Sequence, residues 1–202
     1  MTAIAAAAGY LIGAVPTAAW LARVWNIDLR REGSGNPGAK NALSTGGPAL
    51  AAAVLLVEAA KGLAAVQVGS WMADDLGAVL AGLGAAAGNV YNVWYGFRGG
   101  KGLGISLGIL LAAWPTVVVP VLGVIIVAAV ITRSAGLAAL TAMSGLVLFS
   151  VVWQSRDWPT GGLANGPSLT ALAVGLMLVL AYKHWRDSPL NAGWRARSRA
   201  PV

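Results

Sequence analysis

Gly96-Phe97-Arg98-Gly99-Gly100-Lys101-Gly102-Leu103-Gly104 opens an apolar stretch that runs on to Ile131, and the way that stretch divides decides the fold. Five glycines surround two cations in these nine residues. Glycine leaves backbone N–H groups unobstructed, so such a loop can wrap an oxyanion. Lys101 would add a point charge and Arg98 a planar donor fork. A helix beginning near Lys101 would aim its N-terminal dipole at the same anion. The same residues also suit a tight turn between two membrane helices, with the cations set there by topology. Sequence physics leaves both readings open.

The surroundings of this loop are those of a membrane protein. The 202 residues are 57% hydrophobic and 10% charged, with a mean hydropathy of +0.71. Soluble domains carry about 25% charged residues. Apolar runs are spread over the whole length, which predicts an all-α polytopic membrane protein formed as a single integral membrane domain, 1–202. Most of the nine tryptophans fall near the ends of these runs, as interface anchors do. The chain has no cysteine, which excludes disulfides, thiolate metal sites and cysteine nucleophiles. A net charge of +7 fits loop bias in a membrane protein and is a poor argument for nucleic acid. No basic segment precedes the first apolar run, so a retained helix is expected there and not a signal peptide.

In order, run one spans about Thr2 to Trp25 with a kink at Pro16, and a polar loop follows from Asn26 to Gly47. Run two, about Pro48 to Met72, stops at Asp74-Asp75. Run three, about Leu76 to Trp94, is rich in Gly and Ala and so suited to close helix packing. Leu103 to Ile131 is either one tilted helix or two helices turning at Trp114-Pro115. The positive-inside rule arbitrates. With the turn, twelve of the fourteen Lys and Arg residues lie on the inner side, Arg156 alone is outside and Lys61 is within a helix. Without it, Arg133 and the basic tail move outside and the bias vanishes. A seven-helix bundle is therefore expected, N-terminus outside and C-terminus inside. Its fourth helix, about Leu103 to Ala113, is too short to span comfortably. Runs at about Leu137 to Trp153 and Ser168 to Tyr182 complete the set, and the tail from Lys183 is basic.

Three more features carry chemistry. The inner loop Gly33-Ser34-Gly35-Asn36-Pro37-Gly38-Ala39-Lys40-Asn41 offers glycines, a hydroxyl, two carboxamides and an amine on the same side as Lys101. It is either a second anion cradle or a solvated connector. Glu58 and Lys61 lie one turn apart inside run two; charges in a membrane helix pair, for function or to fix the helix. We expect a structural ion pair near the groove. His184, the single histidine, sits at the inner end of the last helix, where it is either a surface residue or a catalyst.

Together these residues resemble the PlsY-type glycerol-3-phosphate acyltransferases. Ser34-Gly35-Asn36-Pro37-Gly38 with Asn41, then Gly99-Gly100-Lys101-Gly102, look like that family's first two signatures. Gly9-Tyr10-Leu11-Ile12-Gly13-Ala14-Val15-Pro16 is similar to its first helix, and Glu58-Ala59-Ala60-Lys61-Gly62 to its acidic-x-x-Lys-Gly helix. Thr132-Arg133 and His184 fall where its remaining motifs do. The resemblance implies a seven-helix bundle in the cell membrane with a groove facing the cytoplasm. There an acyl group would pass from acyl phosphate to glycerol 3-phosphate or a related phosphorylated substrate, giving lysophosphatidic acid for phospholipid biosynthesis. It implies neither metal nor cofactor. Lys101 would stabilise phosphate charge, Ser34 and Asn36 would position substrate, and His184 would hold the acceptor phosphate. Gly35, Gly38, Lys40, Asn41, Arg98, Gly99, Gly100, Gly102 and Arg133 would line the phosphate site.

The chain departs from the family pattern at several polar positions. Lys40 stands for a Thr, Ser44 for an Arg and Asn89 for a His. Gly104-Ile105 replaces Ala-Thr, Gly136-Leu137-Ala138-Ala139 a Ser-rich motif, and Asp187 the Asn of His-x-x-Asn. An acyl phosphate is already activated, and a substrate phosphate can accept the hydroxyl proton, so lost side-chain bases do not abolish acyl transfer. The alternative is a repurposed homologue that binds or translocates a lipid phosphate or another anion in the same groove.

Overall fold

The computed structural model describes residues 1–191, which are helical with no strand. The expected basic tail beyond that, Arg195, Arg197 and Arg199, lies outside the described residues. The helices are α1 (Thr2–Ala14), α2 (Thr17–Val24), α3 (Ala39–Val90), α4 (Leu103–Ala113), α5 (Val118–Thr132), α6 (Ala135–Ser155) and α7 (Pro167–Arg186). Among the described residues, five helical stretches are long and apolar enough to cross a membrane, with α1 and α2 counted as one of them.

α3 is not one rod. Gly47 leaves helical geometry ahead of Pro48, and Ala73 and Asp74 leave it again. At that second break the chain doubles back, because Gly69 and Gly77 meet so closely that neither has room for a Cβ. Residues 39–46, read from sequence as part of a polar loop, form the first helical piece. The third piece, residues 75–90, packs on α1 through paired small residues. Gly9 and Gly13 face Ala81 and Ala85, while Gly84 and Gly88 face Ala6 and Tyr10, each with its missing side chain occupied by the partner's backbone. Two four-residue glycine spacings thus interlock, which lets dispersion act between backbones where lipid offers no hydrophobic drive. Gly62 and Gly108 do the same between residues 48–72 and α4.

The break between α1 and α2 has one cause and a specific remedy. Pro16 has no N–H and cannot continue the helix, so the preceding carbonyls lose their partners. Lys61 Nζ takes those of Gly13 and Val15 at 3.1 and 2.9 Å, and Asn92 Nδ2 takes that of Ala14 at 2.8 Å.

The expected turn at Trp114-Pro115 is present. α4 ends at Trp114, a short 3₁₀ turn covers Pro115–Val117, and α5 returns toward the Lys101 end. α4 has 11 residues, roughly 16 Å at 1.5 Å per residue. The loop after α6 closes over its far end, where the N–H groups of Leu163 and Ala164 donate to the Ala112 and Ala113 carbonyls at 3.0 and 2.9 Å. Trp114, fully buried, meets Trp153 edge-on at 5.5 Å, and Trp153 meets Trp158 at 4.9 Å. α4 and α5 scarcely touch along their lengths, which leaves a slot between them.

Candidate active site

The slot is the apolar part of a cavity of about 690 Å³. At one end its wall is polar, from Gly33, Ser34, residues 36–41, Ser44, Asn89, Gly100–Gly102, Gly136 and His184. Deeper in, side chains such as Leu107, Leu110, Val121, Met143 and Leu146 line it. Both glycine loops therefore open on one space. Of the residues singled out in the sequence, Ser34, Asn36, Gly38, Lys40, Asn41, Gly100, Lys101, Gly102 and His184 form its wall. Gly35, Arg98, Gly99 and Arg133 stand off that wall. The Arg98 and Arg133 side chains are exposed, and Arg133 ends α5 in the left-handed region at φ 49°.

Each loop is held by its own hydrogen bonds. Asn41, 3% exposed, accepts from the Ser34 N–H at 2.7 Å and donates to the Leu29 and Glu32 carbonyls at 2.9 and 3.0 Å. Its carboxamide clamps the first loop into shape. In the second loop the expected N–H cradle at Gly99 and Gly100 is not available to a ligand. Those two N–H groups donate to the Val90 and Asn89 carbonyls at 3.1 and 2.9 Å. The donors that face the cavity come one turn later. Gly102, at φ +80°, is the N-cap of α4, and the first N–H groups of that helix have no intrahelical partner. Gly38 plays the same part for the first piece of α3. A Cβ at Gly102 would press on Val90 and Leu180 at 3.0 and 3.1 Å, so glycine serves both the turn and the packing. Two helix N-termini thus converge on the polar end, next to Lys40 and Lys101, an arrangement that favours a phosphate.

His184, 2% exposed, places Nε2 3.1 Å from the Lys101 carbonyl, where a protonated Nε2 donates. It anchors the loop that carries Lys101. The Lys101 ammonium lies 2.5 Å from Asp187 Oδ2. Lys183 Nζ donates to the Gly99 carbonyl at 3.3 Å, and Arg30, 4.0 Å over the Tyr95 ring, donates to the Arg98 carbonyl at 3.1 Å. The second loop is therefore braced from both sides.

Glu58 and Lys61 are brought together at 3.0 Å, with Glu58 on the cavity wall. Glu58 also accepts from Thr17 Oγ1 at 3.3 Å and from Asn89 Nδ2. Two residues that sequence reasoning did not single out matter here. Asn92 joins Lys61 at the Pro16 break; its signal is a carboxamide at the end of a Gly/Ala-rich apolar run. Ser106 lines the cavity with a buried hydroxyl that has no protein partner; its signal is a lone hydroxyl in an otherwise apolar helix. Among the described residues no cluster of His, Asp and Glu is arranged to ligate a metal ion.

Comparison with known proteins gives a consistent result. The family model described as glycerol-3-phosphate acyltransferase matches residues 3–189. A glycerol-3-phosphate acyltransferase of Synechococcus sp. (strain JA-3-3Ab) is 48% identical over 166 residues, 81% of this chain and 81% of that protein. One from Agrobacterium fabrum is 38% identical over 200 residues, 98% of this chain and 92% of that one. A crystal structure of PlsY, an integral membrane glycerol 3-phosphate acyltransferase in its glycerol 3-phosphate form, superposes with a TM-score of 0.78. It is 25% identical, with 97% of this chain and 93% of that one covered.

Proposed function

This chain belongs to the glycerol-3-phosphate acyltransferase family, and from that premise we propose that it transfers an acyl group from acyl phosphate to the primary hydroxyl of glycerol 3-phosphate. The product is lysophosphatidic acid. The observation that carries the reading is one cavity with two chemistries: two helix N-termini and Lys101 at its polar end, and an apolar slot between α4 and α5 leading away. A phosphate and an acyl chain on one molecule fit that pair of surfaces.

The donor is a mixed anhydride, so the chain's task is placement and charge stabilisation. The hydroxyl oxygen attacks the acyl carbon, the carbon–oxygen bond to phosphate breaks, and phosphate leaves with the hydroxyl proton. Lys101 and the first N–H groups of α4 stabilise the phosphate charge. Ser34 and Asn36 position substrate on the facing loop. His184 acts by holding the Lys101 backbone and so fixes where the ammonium swings from. In the membrane the chain forms seven crossings, with the polar end of the cavity and the C-terminus on the cytoplasmic side. Supporting that orientation, Arg23, Arg30, Arg31, Lys40, Arg98, Lys101, Arg133, Lys183 and Arg186 belong to the cavity end of the bundle, while Arg156 sits at the other.

The test is purified protein in detergent with acyl phosphate and glycerol 3-phosphate, read by mass spectrometry. Lysophosphatidic acid is expected. Its absence, with an active relative as control, overturns the reading. Because the chain has no cysteine, a single Thr116→Cys substitution, exposed in the turn beside the buried Trp114, tests the orientation cleanly. Labelling from the outer side is expected; labelling only from the cytoplasmic side overturns seven crossings.

A further inference from the structure

Lys101 is held at two points. Its carbonyl meets His184 Nε2, and its ammonium meets Asp187, the residue that ends α7. Asp187 does not line the cavity; it draws the ammonium toward the rim. The fold sets it there. Ser188 N–H and Oγ both donate to the Trp185 carbonyl, at 3.0 and 2.8 Å, and Asn191 Nδ2 donates to the Arg186 carbonyl at 3.1 Å. Ser188 and Asn191 are buried, so the turn after α7 is closed and tucked in.

A second residue makes room for that turn. A Cβ at Gly136, in the first turn of α6, would lie 2.7 Å from the His184 carbonyl oxygen, 3.1 Å from Ser188 N and 3.2 Å from the Asp187 carbonyl carbon. All three are backbone atoms and cannot give way as a flexible side chain would. The bare backbone at Gly136 is what lets residues 184–188 lie against α6 and Asp187 reach Lys101.

We propose that Asp187 is a resident counter-ion that holds Lys101 until substrate arrives, and that a substrate phosphate must displace it. Asp187 is then a positioning residue that sets the affinity of the anion site through Lys101, with Gly136 as its seat. The inference rests on the reading that this cavity takes a phosphorylated substrate. A carboxylate and a phosphate compete for the same ammonium donors. An ammonium already neutralised offers less to an arriving anion, which also meets the repulsion of the displaced carboxylate. Exchange is easy because the two side chains are 35% and 30% exposed, the regime in which ion pairs are weak. Arg186 Nε, 3.7 Å from Asp187 Oδ1, offers the carboxylate a second cation when Lys101 leaves. His184 keeps the Lys101 backbone fixed, so the ammonium alone need move.

The experiment titrates glycerol 3-phosphate into the full chain in nanodiscs and reads thermal stabilisation and turnover for wild type, Asp187→Asn, Asp187→Glu, Gly136→Ala and Lys101→Ala. Asp187→Asn should lower the half-saturating concentration, and the KM, by about two- to fivefold. Asp187→Glu should stay close to wild type. Gly136→Ala should shift binding in the same direction as Asp187→Asn and add nothing in its background. Lys101→Ala should raise the half-saturating concentration about ten- to a hundredfold. A merely structural Asp187 would weaken binding when changed. Unchanged or weaker binding in Asp187→Asn, with Lys101→Ala still weakened, overturns the counter-ion and leaves the function standing. A wild-type response from Lys101→Ala overturns both.

Discussion

Two lysine–carboxylate pairs, one at 3.0 Å and one at 2.5 Å, sit at different depths of this bundle. Lys61 and Glu58 are 10% and 8% exposed at the side chain, and Lys101 and Asp187 are 35% and 30% exposed. Around the first pair the surroundings are complete: Lys61 also serves two carbonyls of the Pro16 break, and Glu58 also receives Thr17 and Asn89. Nothing can leave without stranding a charge or a carbonyl. The second pair lies at a cavity rim, where water or a phosphate can take either partner's place. The same chemical bond is thus a tie in one place and a catch in the other. Solvent access decides which.

Removing one partner of the tie should have the largest effect. Lys61→Met leaves the Glu58 charge without its counter-ion and removes a donor from the Gly13 and Val15 carbonyls, and should cost about 3–5 kcal/mol, read as a lowered midpoint of unfolding in detergent. Glu58→Gln/Lys61→Met should recover part of that loss; strictly additive losses in the cycle exclude coupling. At the catch, Lys101→Ala should leave the fold intact and weaken glycerol 3-phosphate binding by about 1.5–3 kcal/mol, on the order of ten- to a hundredfold. Lys101→Arg should rescue only part, since a planar fork replaces a point charge.

The loop between them gives a finer test. A methyl at Gly99 would run into the Asn89 carbonyl, whereas one at Gly100 meets Asn89 Oδ1, the far end of a side chain, at 3.1 Å. Gly99→Ala should therefore cost about 1–3 kcal/mol of stability and Gly100→Ala clearly less. Equal thermal midpoints for the two would place the N–H groups of this loop differently from the structure. The smallest effect is expected for Asp187→Asn without ligand, where loss of a partly exposed pair should change stability by about 0.2–1 kcal/mol. A loss as large as that of Lys61→Met would make the catch a second tie.

Much of this was legible in the sequence, and the illegible part has a common cause. Hydropathy marks the apolar runs, and the charge bias selects the turn at Trp114-Pro115 that the structure contains. Lys101, Ser34 and His184 stand out as polar groups beside glycines or at a helix end, and all three reach the cavity. The glycines of 99–102 show where N–H groups are unobstructed, but not which carbonyls face them. Gly99 and Gly100 turn out to bond Val90 and Asn89. Whether residues 39–46 form a helix was hidden because polar composition suits a connector equally well. Asp187 reaches Lys101 across 86 positions of sequence, and only the packing at Gly136 brings it there.

The brevity of α4 has a consequence for the chain as an electrical barrier. Roughly 16 Å of helix covers about half of a 30 Å hydrocarbon layer. Beside it runs a cavity that is polar at one end, and past the far end of α4 the chain is packed by Trp114, its neighbour Trp153 and the loop that caps Ala112 and Ala113. With the cavity open to the cytoplasm as proposed, that indole layer is the septum across which the membrane potential falls locally. A unit charge crossing the full potential changes energy by about 2.3 kcal/mol per 100 mV, so whatever field reaches into the cavity acts on a doubly charged phosphate. The buried tryptophan at the end of a short helix then does an insulator's work: it keeps a site that admits anions from becoming a path for ions.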